Sequence, residues 1–482
     1  VQVVDVEPPR QVRADWCRGW RLAFVVVLLA VVTHLPSLVR TEVLNPDEAF
    51  LATQAQVLND GGRLYHDVVD RKPPVVPYLY ATAFRVTGSD DLLTVRLLAI
   101  AAHVATALLV AAIARRRWGD VAGMAAAVLY LVACGGLVLE DSQPANFEVF
   151  MLPLMCAGVY FGERDRHGTA GVATAFATLA KQTAATTLLP LAWLAWRRDR
   201  LRGLVRLGAA FVVPIAVAAL VFGWGDFFFW VFTGTGSYLD ASGSWTVALG
   251  RALGSSGIFL GANVAALLLV IGAVRRWRED IDLWLWLAAA IIAVASGFRF
   301  FGHYYLQLCP PFALLAAGTL VRAKPVVWLR TAVLAGASIV VFVAMAFAAH
   351  PVLLHDYDRI AAAIDEHTSS NDRIFVWGQF PQAYWASDRR PATRFLTAGF
   401  LTGVSGGRSA EHVGMQYAVE NAWEEFGDDL ATQPPKLIVD VSAHTSFAVD
   451  RFPLFAEYLH AHYDMVEYVD GAYLYVRHPG DG

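Results

Sequence analysis

Cysteine is scarce in this chain, with four residues among 482. Cys134, Cys156 and Cys309 fall in apolar runs and Cys17 in a basic flank, so neither a disulfide framework nor a cysteine metal site is expected. Charge is scarce as well. Asp, Glu, Lys and Arg make up 17% of the residues, well below the share of roughly a quarter in an ordinary soluble protein. The formal net charge is −4, and no basic stretch is interleaved with aromatics, which excludes a nucleic-acid groove. No Gly-rich nucleotide loop, internal repeat or low-complexity tract is present. What the chain has instead is apolar residues, 56% of the total. That composition reads as an integral membrane protein.

Long apolar runs and the arginines at their ends give a topology. Arg10, Arg13 and Arg18 precede, and Arg21 opens, the run RLAFVVVLLAVVTHLPSLV, residues 21–39. Its core, about 18 residues, is too long for a signal peptide and no small-residue cleavage site follows, so it reads as an uncleaved first helix. Basic residues stay on the cytoplasmic side, which places residue 45 outside. By the same rule 92–114 returns to Arg115–Arg117, 120–138 goes out and 147–162 comes back. The run 168–196, followed by RRDRLRGLVR, cannot be a single pass without stranding those arginines outside. It reads as two short half-helices meeting at Lys181 and Gln182, polar groups tolerated only where they face protein or a watery cavity. Runs 206–224, 252–274, 282–298, 303–321 and 326–348 complete about eleven spans, N-terminus inside and C-terminus outside.

Residues 1–350 are thus expected to form a transmembrane unit. Three segments lie outside it or at its surface. In the first loop, 40–91, EAFLATQAQVLNDGG has an apolar face at helical period closed by two glycines, which suggests a helix on the membrane surface. Residues 225–250 are aromatic at one end and Gly/Ser-rich at the other, an interfacial segment and a loop. Residues 351–482 read as a separate small α/β domain. RIFVWG, KLIVDVS, YDMVEYV and AYLYVRH are strands, and YDRIAAAIDEH and LFAEYLHAHY are amphipathic helices.

The polar residues gather where outer segments meet the bundle. NPDEAFLATQ places Asp47 and Glu48 side by side after the first span, either as a solvated surface pair or as reactive acids. Downstream, Arg71 and Lys72 abut Pro73-Pro74, whose fixed backbone presents Lys72 from a stiff element, as suits a phosphate ligand. A lysine snorkelling to head groups, or one simply paired with the acids, is the alternative. Glu140 and Asp141, just past the third span, either mark the interface or serve the site. Lys181 is costly in a membrane, about 2.5 to 3.5 kcal/mol, so a functional role competes with an ion pair to a carboxylate such as Asp141. In GFRFFGHYYLQLCPPF, residues 297–312, Arg299 and His303 stand at an outer turn with Tyr304 and Tyr305 beside them. They read as a topological anchor and aromatic belt, or as cations above an apolar groove for a lipid with an anionic head.

Taken in order, NPDE after the first span, G-x-L-Y-x-D and KPP in the first loop, RLL opening the second span, LAKQTA in a half-helix and RFFGHYYLQLCPPFALL late in the bundle resemble the ArnT-like and protein-mannosyltransferase-like glycosyltransferases of the GT-C fold. The likeness runs through most of residues 40–320. It implies a polyprenyl-phosphate sugar donor and inverting transfer to a glycan, lipid or protein hydroxyl on the extracytoplasmic side of the plasma membrane. By position it implies Asp47 as the catalytic carboxylate, Lys72 as a donor-phosphate ligand and Asp141 as a second functional acid. Glu48 remains a catalytic, metal-holding or tuning neighbour, and either Glu140 or Asp141 matches the second acidic point. Lys181, Arg299 and His303 would share the donor phosphate, and Arg71, Gln182, Tyr304 and Tyr305 would line the cavity.

The physical chemistry is coherent. An acceptor hydroxyl gives its proton to a carboxylate as it attacks, and the leaving lipid phosphate needs preorganised cations. No cofactor is required, although Asp47, Glu48 and Asp141 leave room for a divalent cation. The rivals are a transporter or flippase of a lipid-linked glycan and a non-catalytic assembly protein. A transporter would carry inverted repeats and a charged midplane path, whereas here the polar residues gather at the outer face.

Overall fold

The computed structural model describes residues 17–234, 245–351, 355–404 and 410–480. Arg10, Arg13 and the Gly/Ser-rich part of 225–250 lie outside the described residues.

The first apolar run forms α1 (Gly19–Thr33) and α2 (Leu35–Val39), divided at His34 two residues before Pro36. The first loop then folds into two helices, α3 (Pro46–Asn59) and α4 (Val75–Thr87). Asn45 starts α3 by accepting the Asp47 N–H at 2.9 Å, with Pro46 at the first helical position. Gly61, at φ +93, ends it, as the glycine pair in the sequence suggested. In contrast to a surface helix with one wet face, α3 buries Glu48, Thr53 and Gln54 along with its apolar residues. The reason is that α4 packs on one side of it and the sheet-bearing segment on another.

Next come α5 (Leu92–Trp118), α6 (Asp120–Gly135), the single turn α7 (Leu139–Ser142), α8 (Phe147–Gly162) and α9 (His167–Ala180). At Lys181 the backbone turns extended, at φ −155° and ψ 132°, and a 3-10 turn over Gln182–Thr187 leads into α10 (Leu188–Val221). α10 kinks at Arg200. His167 at the start of α9 lies 3.6 Å from Asp199, just before that kink, so both arms return to one end of the bundle. The expected break at Lys181 and Gln182 is therefore present, but the second helix is not a short one: α10 continues past its kink into the run 206–224 that was expected as a separate span. The same end is clamped by Arg117, which bonds Glu163 at 2.6 Å, Asp280 at 3.3 Å and Asp282, tying together the ends of three helices.

Beyond the short α11 (Trp224–Phe228) lie α12 (Trp245–Ala262) and α13 (Val264–Ala273). The run 252–274, expected as one span, is broken between them by a bend of 88°. Asn263 turns its side-chain amide back onto the Phe259 carbonyl at 2.9 Å there. α14 (Ile281–Ala295), a 3-10 turn over Gly302–Leu308, α15 (Cys309–Leu320) and α16 (Pro325–Ala348) complete the bundle. By length and composition, four helices among the described residues are able to cross a membrane, or five with the bent pair. The sequence reading expected about eleven. Three further apolar helices, α1, α6 and α8, are shorter than a full span. All four cysteines are buried free thiols.

The segment from residue 355 carries a five-stranded sheet. Strands β1 (Arg373–Trp377), β2 (Arg390–Pro391), β3 (Leu437–Asp440), β4 (Tyr463–Val469) and β5 (Ala472–Arg477) run in the order β2-β1-β3-β5-β4. β2 and β3 flank β1 in parallel, and β5 is antiparallel to β3 and β4. Asp470 and Gly471, both at positive φ, make the tight β4–β5 turn that an Asp-Gly pair favours. Helices α17 (Tyr357–His367), α18 (Gln382–Ser387), α19 (Gly399–Thr402), α20 (Ala422–Thr432) and α21 (Pro453–His462) surround the sheet, and Phe375, Trp377, Phe426 and Phe455 fill its core. The sheet unit docks on the first loop. Arg390 pairs with Asp60 at 2.7 Å, the Val69 N–H donates to the Arg394 carbonyl at 3.1 Å, and Arg71 lies 4.2 Å over the Phe400 ring.

Candidate active site

Away from the arginine clamp, the break after α9, the turn before α8, the start of α3 and the first loop converge. Asp47 and Glu48 both stand in the first turn of α3 but differ in burial. Asp47 is half-buried. Glu48 is fully buried, and its carboxylate accepts four bonds: from Arg96 Nε at 3.0 Å and Nη2 at 2.7 Å, and from the Ala145 and Leu44 N–H groups at 3.1 and 3.2 Å. Arg96 in turn donates to the Arg40 and Glu42 carbonyls, each at 2.7 Å. Glu48, expected as a catalytic, metal-holding or tuning neighbour of Asp47, is engaged in these four bonds. Its oxygens are saturated, and it holds the start of α3 against α5. Arg96 was not singled out beforehand, although the RLL motif contains it.

A second network begins at Lys181. Where α9 ends, Lys181 forms an ion pair with Glu148, in the first turn of α8, and its Nζ lies 4.0 Å over the Tyr304 ring. Glu148 also lies 3.9 Å from His303 Nε2, while His303 Nδ1 meets Asp141 at 2.9 Å and the His303 N–H donates to the same oxygen at 2.8 Å. A ring with a carboxylate at each nitrogen is tightly oriented. The sequence reading offered Asp141 as the partner of Lys181; the partner is Glu148, and Asp141 belongs to His303. Glu148 carried a readable signal, an acid at the start of an apolar helix facing the only intramembrane lysine, but it had been left as the end of an acidic stretch.

The first loop brings cations to this network. Lys72 lies 5.4 Å over the Phe147 ring and acts electrostatically on Glu148 and Lys181. Its carbonyl is held by Tyr65 at 2.8 Å, and the Gln182 side chain donates to the Arg71 carbonyl at 2.6 Å and to the Val231 carbonyl at 3.0 Å. Gln182 therefore fastens the Arg71-Lys72 segment to the break rather than facing a ligand with its amide nitrogen. Asp47 is an electrostatic neighbour of both Lys181 and Asp70. Asn45 ties its turn to α7 by donating to the Glu140 carbonyl at 3.0 Å, which sets Asp47 near the segment carrying Asp141. Tyr305, expected to line the cavity, bonds Ser256 at 2.8 Å and packs on Phe259 of α12. Arg299 is buried in the turn before His303, between Phe298 and Phe300, both at positive φ; such backbone costs of order 1 to 3 kcal/mol per residue and is kept where surroundings enforce it.

Among the described residues no three His, Cys, Asp or Glu side chains come together as ligands. Glu48 is spent on Arg96, and an Asp141 oxygen on His303.

Asp70, unremarked in the sequence, is buried in the first loop within 3.5 Å of Gln54. Burial pushes its carboxyl up to about 6; Lys72 opposes this, Asp47 adds to it and Arg71 opposes it. An unfolded aspartate titrates near ~3.9. The native state therefore holds this proton more tightly, and stability falls as pH rises from about 4 to about 6. Asp70→Asn is expected to remove a fall on the order of 3 kcal/mol. Thermal midpoints of variant and parent should coincide below pH 4, with the variant higher above pH 6; parallel profiles would show a solvated Asp70.

Residues 71–224 match the family described as dolichyl-phosphate-mannose-protein mannosyltransferase. The fold is similar to that of ArnT from Cupriavidus metallidurans in the apo state, at a TM-score of 0.65 and 16% identity over 95% of this chain and 97% of that one. Against the same protein bound to undecaprenyl phosphate the TM-score is 0.60, at 15% identity over 96% and 98%. The archaeal oligosaccharyltransferase AglB from Archaeoglobus fulgidus, in complex with an inhibitory peptide and a dolichol-phosphate, gives 0.55 at 11% identity over 97% of this chain and 75% of that one. No curated relative matches by sequence. The chain is thus an integral membrane protein with the GT-C fold, similar to proteins whose structures hold undecaprenyl phosphate or a dolichol-phosphate.

Proposed function

We propose that this protein is an inverting glycosyltransferase that moves a sugar from a polyprenyl phosphate to a hydroxyl acceptor on the extracytoplasmic face, where the sheet-bearing segment lies. The observation that carries this reading is the half-buried Asp47 carboxylate standing in electrostatic reach of Lys181, with Lys72 beside them. A base for the acceptor proton and cations for a leaving phosphate thus share one end of an apolar bundle. The arginine clamp at the other end supports the orientation. The match of residues 71–224 and the likeness to ArnT support the donor class.

In this mechanism the acceptor hydroxyl approaches Asp47, which takes its proton as the oxygen attacks the anomeric carbon. The bond from that carbon to the phosphate oxygen breaks, and the lipid phosphate leaves with a second negative charge. Lys72 meets that charge from the Pro-stiffened loop, and Lys181, Arg299 and His303 surround it. Asp141 fixes the His303 ring. Glu48 and Arg96 hold the base in place.

The test is a transfer assay with the full chain in nanodiscs, offering mannosyl, glucosyl and arabinosyl donors either as polyprenyl phosphates or as nucleotide sugars. Transfer from one or more lipid-linked donors and from no nucleotide sugar is expected. Movement of intact lipid-linked glycan between leaflets without a glycosidic product would instead mark a flippase and overturn the reading.

A further inference from the structure

The Asp141 carboxylate rests directly on the Cα of Gly302, the first residue of the 3-10 turn that carries His303. A β-carbon on Gly302 would stand 2.6 Å from Asp141 Cγ and 3.2 Å from its Cβ, and closer still to Oδ2. Such spacing lies well inside van der Waals contact. We propose that Gly302 is a positioning residue of the transfer site: the space left by its missing side chain seats Asp141, and Asp141 so seated decides which nitrogen His303 turns toward the Lys181–Glu148 pair. The effect on turnover rests on the transferase reading above; the seat itself does not.

One Asp141 oxygen accepts from the His303 N–H at 2.8 Å and meets Nδ1 at 2.9 Å, so the carboxylate has to lie alongside the backbone that joins Gly302 to His303. An ionised carboxylate only accepts, so Nδ1 carries a hydrogen. The plane of the ring is set separately. Phe301 stacks on it with centroids 5.6 Å apart and 8° between the planes, and Tyr304 meets it edge-on at 5.0 Å. A half-turn about the Cβ–Cγ bond keeps that plane and exchanges each ring nitrogen for a carbon. Stacking therefore does not choose between the two settings, and Glu148, 3.9 Å from Nε2, stands beyond hydrogen-bond reach. The choice falls to Asp141. With Nδ1 on Asp141, Nε2 points toward Glu148 and its partner Lys181.

A side chain at position 302 would be costly to Asp141 and to little else. Apart from its chain neighbours, the three atoms nearest to the missing β-carbon all belong to the Asp141 side chain, which is 18% accessible and has room to swing away. Gly302 is not among the glycines at positive φ, so alanine fits its backbone. Alanine should thus evict the carboxylate without unfolding the turn.

The experiment places the full chain, its histidine ring nitrogens labelled with nitrogen-15, in lipid bilayers for solid-state NMR, and measures transfer from mannosyl, glucosyl and arabinosyl polyprenyl phosphates on the same samples. The His303 signals are those lost in His303→Asn. Gly302→Ala should melt as the parent does and move the His303 signals to where Asp141→Ala puts them. It should lower turnover by about tenfold or more, as removing a carboxylate that orients a functional histidine does. The double variant Gly302→Ala/Asp141→Ala should be no slower than Asp141→Ala alone. Unmoved His303 signals in Gly302→Ala, parental turnover beside moved signals, or losses that multiply in the double variant would each overturn the proposal. If Gly302→Ala folds poorly, the double variant decides: regained stability supports the clash with Asp141, and continued instability refutes it. The NMR signals are read without donor, so a chain whose His303 responds as expected and whose parent transfers no sugar refutes the transferase reading and leaves the seat standing.

Discussion

Asp47→Asn is expected to reduce transfer by 10² to 10⁴-fold, on the order of what a positioned general base contributes, in a protein that folds and melts as the parent does. The neighbouring change, Glu48→Gln, is expected to act through stability. Asp47 is half-buried and no hydrogen bond of its carboxylate holds the fold among the described residues, whereas Glu48 is fully buried under four hydrogen bonds with Arg96 as its counter-ion. Removing one charge of such a pair leaves the other buried and uncompensated, which costs about 3 to 5 kcal/mol. The measurement is a pair of thermal melts beside a pair of turnover rates at saturating donor. An Asp47→Asn protein that transfers at the parental rate would remove Asp47 from the chemistry. A Glu48→Gln protein of parental stability would mean that the Arg96 pair does not anchor α3.

That contrast also shows where sequence reading stops. The acid pair was legible as a feature, since Pro46 and Asn45 announce a helix start and the preceding run announces a span. Which acid turned inward was not, because the deciding partner, Arg96, is 48 residues away and is found by packing of α3 against α5. The break at Lys181 was legible from a charge conflict, too many arginines on the wrong side of a single pass. The bend at Asn263 was not, because an asparagine in an apolar run carries no signal until its amide returns to Phe259. In the sheet unit, four short apolar segments were legible as strands, while the two-residue β2 is too short to have a period. The packing of α3 on more than one side was hidden for a similar reason. Its periodicity described one apolar face, and the docking of the sheet unit on its other side depends on contacts with residues more than 300 positions away.

The Lys181–Glu148 pair permits a separation that single variants cannot give. Glu148→Gln should leave Lys181 charged in a buried site and lower stability by about 3 to 5 kcal/mol, so its inactivity would prove nothing about chemistry. The double variant Lys181→Met/Glu148→Gln removes both charges from the same space, and replacement of a buried pair by well-packed neutral groups is often neutral or stabilising. Its melting temperature should return close to the parent. Transfer should not return. Lys181 lies over Tyr304, beside His303 and in electrostatic reach of Lys72 and Asp47, and in the proposed mechanism its ammonium meets the charge that develops on the leaving phosphate. Loss of such a contact lowers turnover by about 10² to 10³-fold. A stable double variant with parental turnover would assign the lysine to architecture and leave Lys72 as the principal cation. A stable variant with impaired turnover would place Lys181 among the groups that act on the donor, with Glu148 as the carboxylate that lets the membrane tolerate it.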